Sequence, residues 1–413
     1  MASNPFAQAD HPYYRDPDQL LVTRRDQIVA SLPCQRIHLP RQERWPTHHI
    51  GAHISCSQEG QLQAMVAGNA AVMHWTSADQ GRTWNGVEQG LDGVGAFVVL
   101  DNGDFIGATG GGNNPVRILR SQDRGRQWTD IAAIRPDPFD ALHIDSNLLR
   151  LQDQTLLLAL SMHLVPPPGG ELGQGYGAQY LYRSQDGGHT WSSGIDADFW
   201  RAVKAGKAHI PQDGPHCTWP GEGGTFPGVY ETGFCQLADG RLMGAFRFSG
   251  PPLPWHHQVI DQWGERPEQA DGHGRLFRHV VLGESADAGR TWENLRPVLD
   301  AAGAPLMLHG ESNGELVELP DGRLVLVHQT RYAEGPDRDR GLFRGRSQLC
   351  ARVSLDRGRT FLPERYRLLF GFGYSSTLAL GDNSLVTVTG CALGDNGDPR
   401  RAAAISWQLA ETL

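Results

Sequence analysis

The chain has 413 residues, 51 of them glycine and 26 proline, with 39% hydrophobic residues and a formal net charge of −9. This is the composition of a turn-dense globular protein. The acidic balance, without a long basic run, argues against nucleic acid or an anionic membrane as partner. No stretch approaches the roughly 20 apolar residues of a membrane span. The opening MASNPFAQADHPYYRDPDQ has no basic run leading into an apolar one, and the cysteines at 34, 56, 217, 235, 350 and 391 form no CxxC pair. The expectation is a cytoplasmic protein with reduced thiols.

In chain order, residues 1–26 read as an N-terminal extension and 27–413 as one repeat domain. The run QIVASLPCQRIHLP (27–40) reads as a strand. Six hairpins follow, each a pair of apolar or alternating runs around a polar turn: 53–68, 95–110, 143–163, 231–248, 311–331 and 374–390. Their NG, DG and DN turns are hairpin signals. The final run RAAAISWQL (401–409) completes the last unit, with 27–40 supplying its outer strand and so removing an exposed edge. Long loops at about 195–230 and 249–274 flank the fourth unit and are expected to be functional.

Between the hairpins one eight-residue phrase recurs five times: SADQGRTW (77–84), SQDRGRQW (121–128), SQDGGHTW (184–191), SADAGRTW (285–292) and SLDRGRTF (354–361). Its aspartates, Asp79, Asp123, Asp186, Asp287 and Asp356, read as turn residues that bond backbone N–H groups two positions on. The glycine supplies a positive φ, and the aromatic residue packs between sheets. A fixed turn recurring between β-rich segments marks a repeat architecture. The expected fold is all-β, a six-bladed β-propeller.

The phrase is similar to the Asp-box of the sialidase (neuraminidase) superfamily, and the resemblance covers nearly the whole chain. It implies a catalytic glutamate opening the fourth inner strand, where Glu231 stands, and an arginine closing that hairpin, where Arg247 stands. It also implies an arginine ahead of the last phrase, matched by Arg346, and a tyrosine in a Tyr-Ser pattern, matched by Tyr374. These residue types suit one chemistry. Paired guanidinium groups hold a planar carboxylate. A tyrosine relieved of its proton by a glutamate attacks an anionic sugar centre without bringing full charge to it.

Two family signatures are absent. The stretch THHIGAHISC has His48, His49 and His53 where the family carries Arg-Ile-Pro, and AMVAGNAAVMHW has no acidic residue where the family places its acid/base aspartate. His49 and His53 are therefore candidate acid/base groups, since imidazole titrates near neutral pH. His143, Asp145 and Glu311, which open the third and fifth hairpins, are candidate substrate contacts. The histidines have no spacing of the strong metal-binding kinds, so neither metal nor cofactor is expected. Three functions fit. The first is a sialidase-like exo-acting glycoside hydrolase on an acidic or unusual sugar. The second is a polysaccharide lyase on uronic-acid glycans with Tyr/His acid-base chemistry. The third is a non-catalytic glycan-binding propeller. A carbohydrate is the expected partner in all three.

Overall fold

The computed structural model describes residues 18–24, 27–39, 51–68, 71–91, 93–135, 141–144, 148–164, 176–192, 228–250, 277–307, 312–330, 348–370, 374–392 and 401–411. They are all strand and turn. Two strands come first, β1 (Gln19–Arg24) and β2 (Gln27–Leu39). Then β3 (Gly51–Cys56), β4 (Leu62–Gly68), β5 (Ala71–Ser77) and β6 (Asn85–Gln89) form one antiparallel sheet in chain order. The next sheet repeats that meander with β7 (Ala96–Val99), β8 (Phe105–Gly110), β9 (Val116–Ser121) and β10 (Thr129–Ile134).

In the third sheet the innermost position is split. Both β11 (Ala141–Ile144) and β12 (Leu149–Arg150) pair with β13 (Leu156–Leu164), which pairs in turn with β14 (Tyr176–Ser184). The fourth sheet is β15 (Gly228–Gln236), β16 (Leu242–Gly250), β17 (Phe277–Ser285) and β18 (Glu293–Pro297). Two further meanders follow: β19 (Ser312–Glu318), β20 (Leu324–Thr330), β21 (Gln348–Ser354) and β22 (Glu364–Phe370), then β23 (Ser375–Ala379), β24 (Ser384–Ala392) and β25 (Arg401–Gln408).

The N-terminal hairpin joins these last two meanders into one nine-stranded sheet. β1, within the segment expected to be an extension, pairs with β22 from Leu21↔Arg367 to Arg24↔Glu364. The second half of β2 pairs with β25 from Cys34↔Trp407 to Leu39↔Ala402. The sheets succeed one another around a ring. β3 lies against β7, β8 against β11, β14 against β15, β15 against β19, and β19 against β23, which returns to β3. The architecture is all-β and β-propeller-like.

The core lies between adjacent sheets. Val325, Val327, Leu349 and Val353 of the fifth meander meet Leu385, Ile405 and Trp407 of the sixth, all buried. Ala52, Ile54, Ala64 and Val66 meet Val386, Val388 and Ala404 across the closure. Alternating strand positions fill both faces of each sheet, and each large apolar side chain so buried contributes about 1.5–3 kcal/mol.

The five phrases build one turn. Ser77 Oγ accepts the Gly81 N–H at 2.9 Å and donates to Asp79 Oδ1 at 2.8 Å. Asp79 then accepts the Thr83 N–H at 2.9 Å and the Thr83 hydroxyl at 2.6 Å. The aspartate therefore bonds the residue four positions on, not two as expected. The reason is that the turn holds two successive left-handed residues: Gln80 and Gly81 have φ of 61° and 86°. The extra left-handed residue lengthens the loop the carboxylate must span. Of the closing aromatics, Trp292 and Phe361 are buried in the core, and Trp84, Trp128 and Trp191 are half-buried.

Each hairpin also turns alike. Leu237, Leu319 and Leu380 each donate their N–H to the carbonyl four residues on. Counting back six positions from each leucine puts Glu231, Asn313 and Tyr374 at one level of the ring.

Candidate active site

At that level two of the inner strands are bulged. The register of β15 against β16 breaks between Tyr230 and Gly233, and that of β19 against β20 breaks between Ser312 and Glu315. A bulge frees one residue from the ladder and re-aims its side chain. The freed residues adopt left-handed backbone, Glu231 with φ 42° and Asn313 with φ 55°. The next residue of β15 but one must be glycine. A Cβ on Gly233 would stand 2.3 Å from the Gly314 carbonyl oxygen and 2.7 Å from Glu315 Cα. The two bulged strands thus touch through bare backbone.

Glu231 is held from two sides. Tyr374 donates its phenolic O–H to Glu231 Oε1 at 2.7 Å. Arg247, buried on β16 where it lies opposite Tyr230, forms an ion pair with Glu231 Oε2. A charge-assisted bond of this kind favours the ionised carboxylate, and the ionised carboxylate is the form able to take a proton from the phenol. The three groups make a relay from guanidinium to carboxylate to phenol.

The relay opens onto a cavity of about 880 Å³. Its wall includes His53, Glu231, Asn313, Glu315, Tyr374 and Ser376. His53 is buried at the start of the first inner strand. Glu315 accepts the backbone N–H of Thr377 at 2.7 Å, which ties β19 to β23. Burial pushes its carboxyl up to about 8, offset in part by hydrogen bonds from Thr377 and Ser376. Near neutral pH this is a carboxylic acid rather than a carboxylate.

Of the residues expected from sequence, Glu231, Arg247 and Tyr374 come together, and His53 shares their cavity. His143 is exposed on β11 and is not part of the cavity wall. His48, His49, Asp145, Glu311 and Arg346 lie outside the described residues. Among the described residues, no three His, Cys, Asp or Glu side chains are placed to hold a metal ion.

Asn313 and Glu315 were not singled out from sequence. The available signal was register: counting back from the polar turn aligns SNGELVELPDG with ETGFCQLADG, so that Asn313 falls on Glu231.

No family model matches the chain, and no curated protein matches it. Its fold, however, is shared with solved structures. A protein of unknown function from Dyadobacter fermentans aligns with a TM-score of 0.56 at 13% identity, over 91% of this chain and 99% of that one. An alpha-L-arabinanase of Penicillium chrysogenum, solved with arabinobiose, aligns at 0.54 with 14% identity, over 89% and 97%. A sialidase of Trypanosoma rangeli aligns at 0.52 with 14% identity, over 91% of this chain and 59% of that one. At these identities the likeness establishes the fold.

Proposed function

We propose that the chain is a six-bladed β-propeller glycoside hydrolase acting from the end of a glycan, with Tyr374 as nucleophile and Glu231 as the base that activates it. The observation that carries this reading is the Tyr374–Glu231 hydrogen bond at 2.7 Å, backed by Arg247 and facing a cavity with room for a sugar. An arabinanase and a sialidase on the same fold support a carbohydrate substrate.

In the first step the Tyr374 oxygen attacks the anomeric carbon while its proton passes to Glu231. The glycosidic bond breaks and the leaving oxygen takes a proton from an acid. His53, in the same cavity wall, is the proposed donor of that proton. A water then attacks the anomeric carbon and gives its proton to His53, the bond to the Tyr374 oxygen breaks, the phenol recovers its proton from Glu231, and the configuration is retained. A neutral phenol suits a substrate that repels an anionic nucleophile, so the proposed sugar is acidic or otherwise unusual. Arg346 is the proposed partner of its carboxylate, with Arg247, ion-paired to Glu231 and outside the cavity wall, adding positive charge beside it. Without the family's third arginine that grip is weaker, so ordinary sialosides should be poor substrates.

The test is a panel of 4-methylumbelliferyl glycosides, including the sialoside and the α-L-arabinofuranoside, alongside uronic-acid polysaccharides. Release of fluorophore that requires both Tyr374 and Glu231 is the expected result. Formation of an ultraviolet-absorbing unsaturated uronate would instead establish the lyase. Binding of glycans with no turnover of any would establish a non-catalytic propeller.

A further inference from the structure

Between β15, which carries Glu231, and β23, which Tyr374 immediately precedes, lies β19, touching both. The hydrogen bond from Tyr374 to Glu231 therefore spans β19, and Asn313 stands at the same level of the ring between them. Asn313 occupies the same bulge as Glu231, one strand further round, with the same left-handed backbone. It lines the same cavity. Its side-chain oxygen is buried and has no hydrogen-bond partner among the described residues.

A buried acceptor without a partner is costly and rare in folded proteins. Asn313 is carried by a bulge beside an activated nucleophile and lines the cavity, and a rotation of its side chain would bring the unpaired Oδ1 from within the wall to the cavity surface, where a donor on a ligand meets it. We propose that Asn313 is a substrate-contacting residue of this site, its Oδ1 accepting the O–H of a ring hydroxyl on the sugar that Tyr374 attacks. The proposal rests on the glycosidase reading for the identity of the ligand. It adds a specificity element: a sugar lacking that hydroxyl would leave Oδ1 unpaired, and polar sites of this kind reject such analogues strongly.

Glu315, two residues on, reinforces the same wall. Its Oε2 is likewise buried without a hydrogen-bond partner among the described residues. The neighbouring Cys235 thiol on β15 is pushed up to about 12, chiefly by burial, and so adds no charge there at neutral pH. At the level of Asn313 and Glu315, β19 thus offers uncharged hydrogen-bonding groups suited to hydroxyls, next to the charged relay.

The informative variants are Asn313→Gly and Asn313→Asp. Glycine keeps the left-handed backbone and deletes the amide, so loss of fold is not confounded with loss of contact. Aspartate keeps an acceptor at the same place and tests rescue. Calorimetric titration with two probes, L-arabinose and N-acetylneuraminic acid, reads binding independently of turnover. The expected result is a dissociation constant about tenfold higher in Asn313→Gly for whichever probe the wild type binds, as the loss of one hydrogen bond to a buried group implies. Asn313→Asp should stay close to wild type. Equal affinity in wild type and Asn313→Gly would overturn the role of Asn313. In that case the dependence of turnover on Tyr374 and Glu231 would still judge the glycosidase reading separately. A wild type that binds neither probe overturns the proposal as stated.

Discussion

Tyr374, immediately before β23, and Glu231, on β15, are 143 positions apart, yet their side chains meet at 2.7 Å across the intervening β19. The contact exists because Glu231 sits in a bulge with left-handed backbone, which turns its carboxylate out of the ladder and toward the axis. Left-handed backbone at a residue that is not glycine costs of order 1–3 kcal/mol and persists only where the surroundings impose it. Here the ion pair with Arg247 and the phenol bond impose it.

Removing either end of that contact should abolish turnover without unfolding the protein. Tyr374→Phe and Glu231→Gln are each expected to lower kcat by about 10²–10⁴-fold, the scale of a lost activated nucleophile or base. Steady-state kinetics on the best glycoside of the panel, with melting curves as control, checks this. Wild-type turnover in either variant would remove the nucleophile assignment.

The close approach of β15 and β19 should be equally sensitive. Gly233→Ala places a methyl 2.3 Å from a backbone oxygen, where no rotamer change relieves it. The strands must part, at a cost of about 1–3 kcal/mol as for other overpacked positions. Parting them also moves Glu231, two residues away. Denaturant titration should record the lost stability, and kcat should fall more than KM rises.

Glu315 makes stability depend on pH in a definite direction. Its folded carboxyl lies at about 8 against an ordinary 4.5. Between those values the folded state holds a proton that the unfolded state has released, so stability falls as pH rises from about 4.5 to about 8 and is flat above. The loss is bounded at about 1.4 kcal/mol per unit of pKa difference. Glu315→Gln, which mimics the neutral acid, should flatten this slope in denaturation midpoints measured from acidic to mildly alkaline pH. An unchanged slope would show that Glu315 ionises normally.

The repeated turns should contribute stability and not activity. Ser121 is buried, accepting the Gly125 N–H and donating to Asp123, each at 2.8 Å. Ser121→Ala leaves that buried N–H without its partner, at about 1–3 kcal/mol. Turnover per folded molecule should not change, because the turn follows the third strand out from the cavity. A companion effect is expected in acid. Hydrogen bonds from the Thr83 hydroxyl, the Thr83 N–H and Ser77 draw Asp79 down to about 2. The stability this provides is present above about pH 4 and is lost as pH falls toward 2.

The strands and turns were legible from sequence because their causes are local. Alternation of apolar residues, DG and NG turns, and the Ser-x-Asp-x-Gly phrase all act within ten residues, and all six expected hairpins appear as paired strands, the third with a split inner strand. The pairing of β2 with β25 was also readable, since an unmatched strand at each end invites closure. That β1 would extend the neighbouring meander was not, because a short strand carries no mark of which edge it will join.

The site divides along the same line. Residue types at two strand starts and at the close of the fourth hairpin pointed to Glu231, Tyr374 and Arg247, but only through resemblance to a family, since no spacing in the chain relates position 231 to 374. Only the ring order brings them into contact. His143, expected near the axis, is exposed on β11 and absent from the cavity wall. Asn313 and the neutral acid Glu315 could not be recognised beforehand. Their importance comes from a bulge, from burial, and from lying between two other strands, and each of these is a property of neighbours that the chain supplies from distant positions.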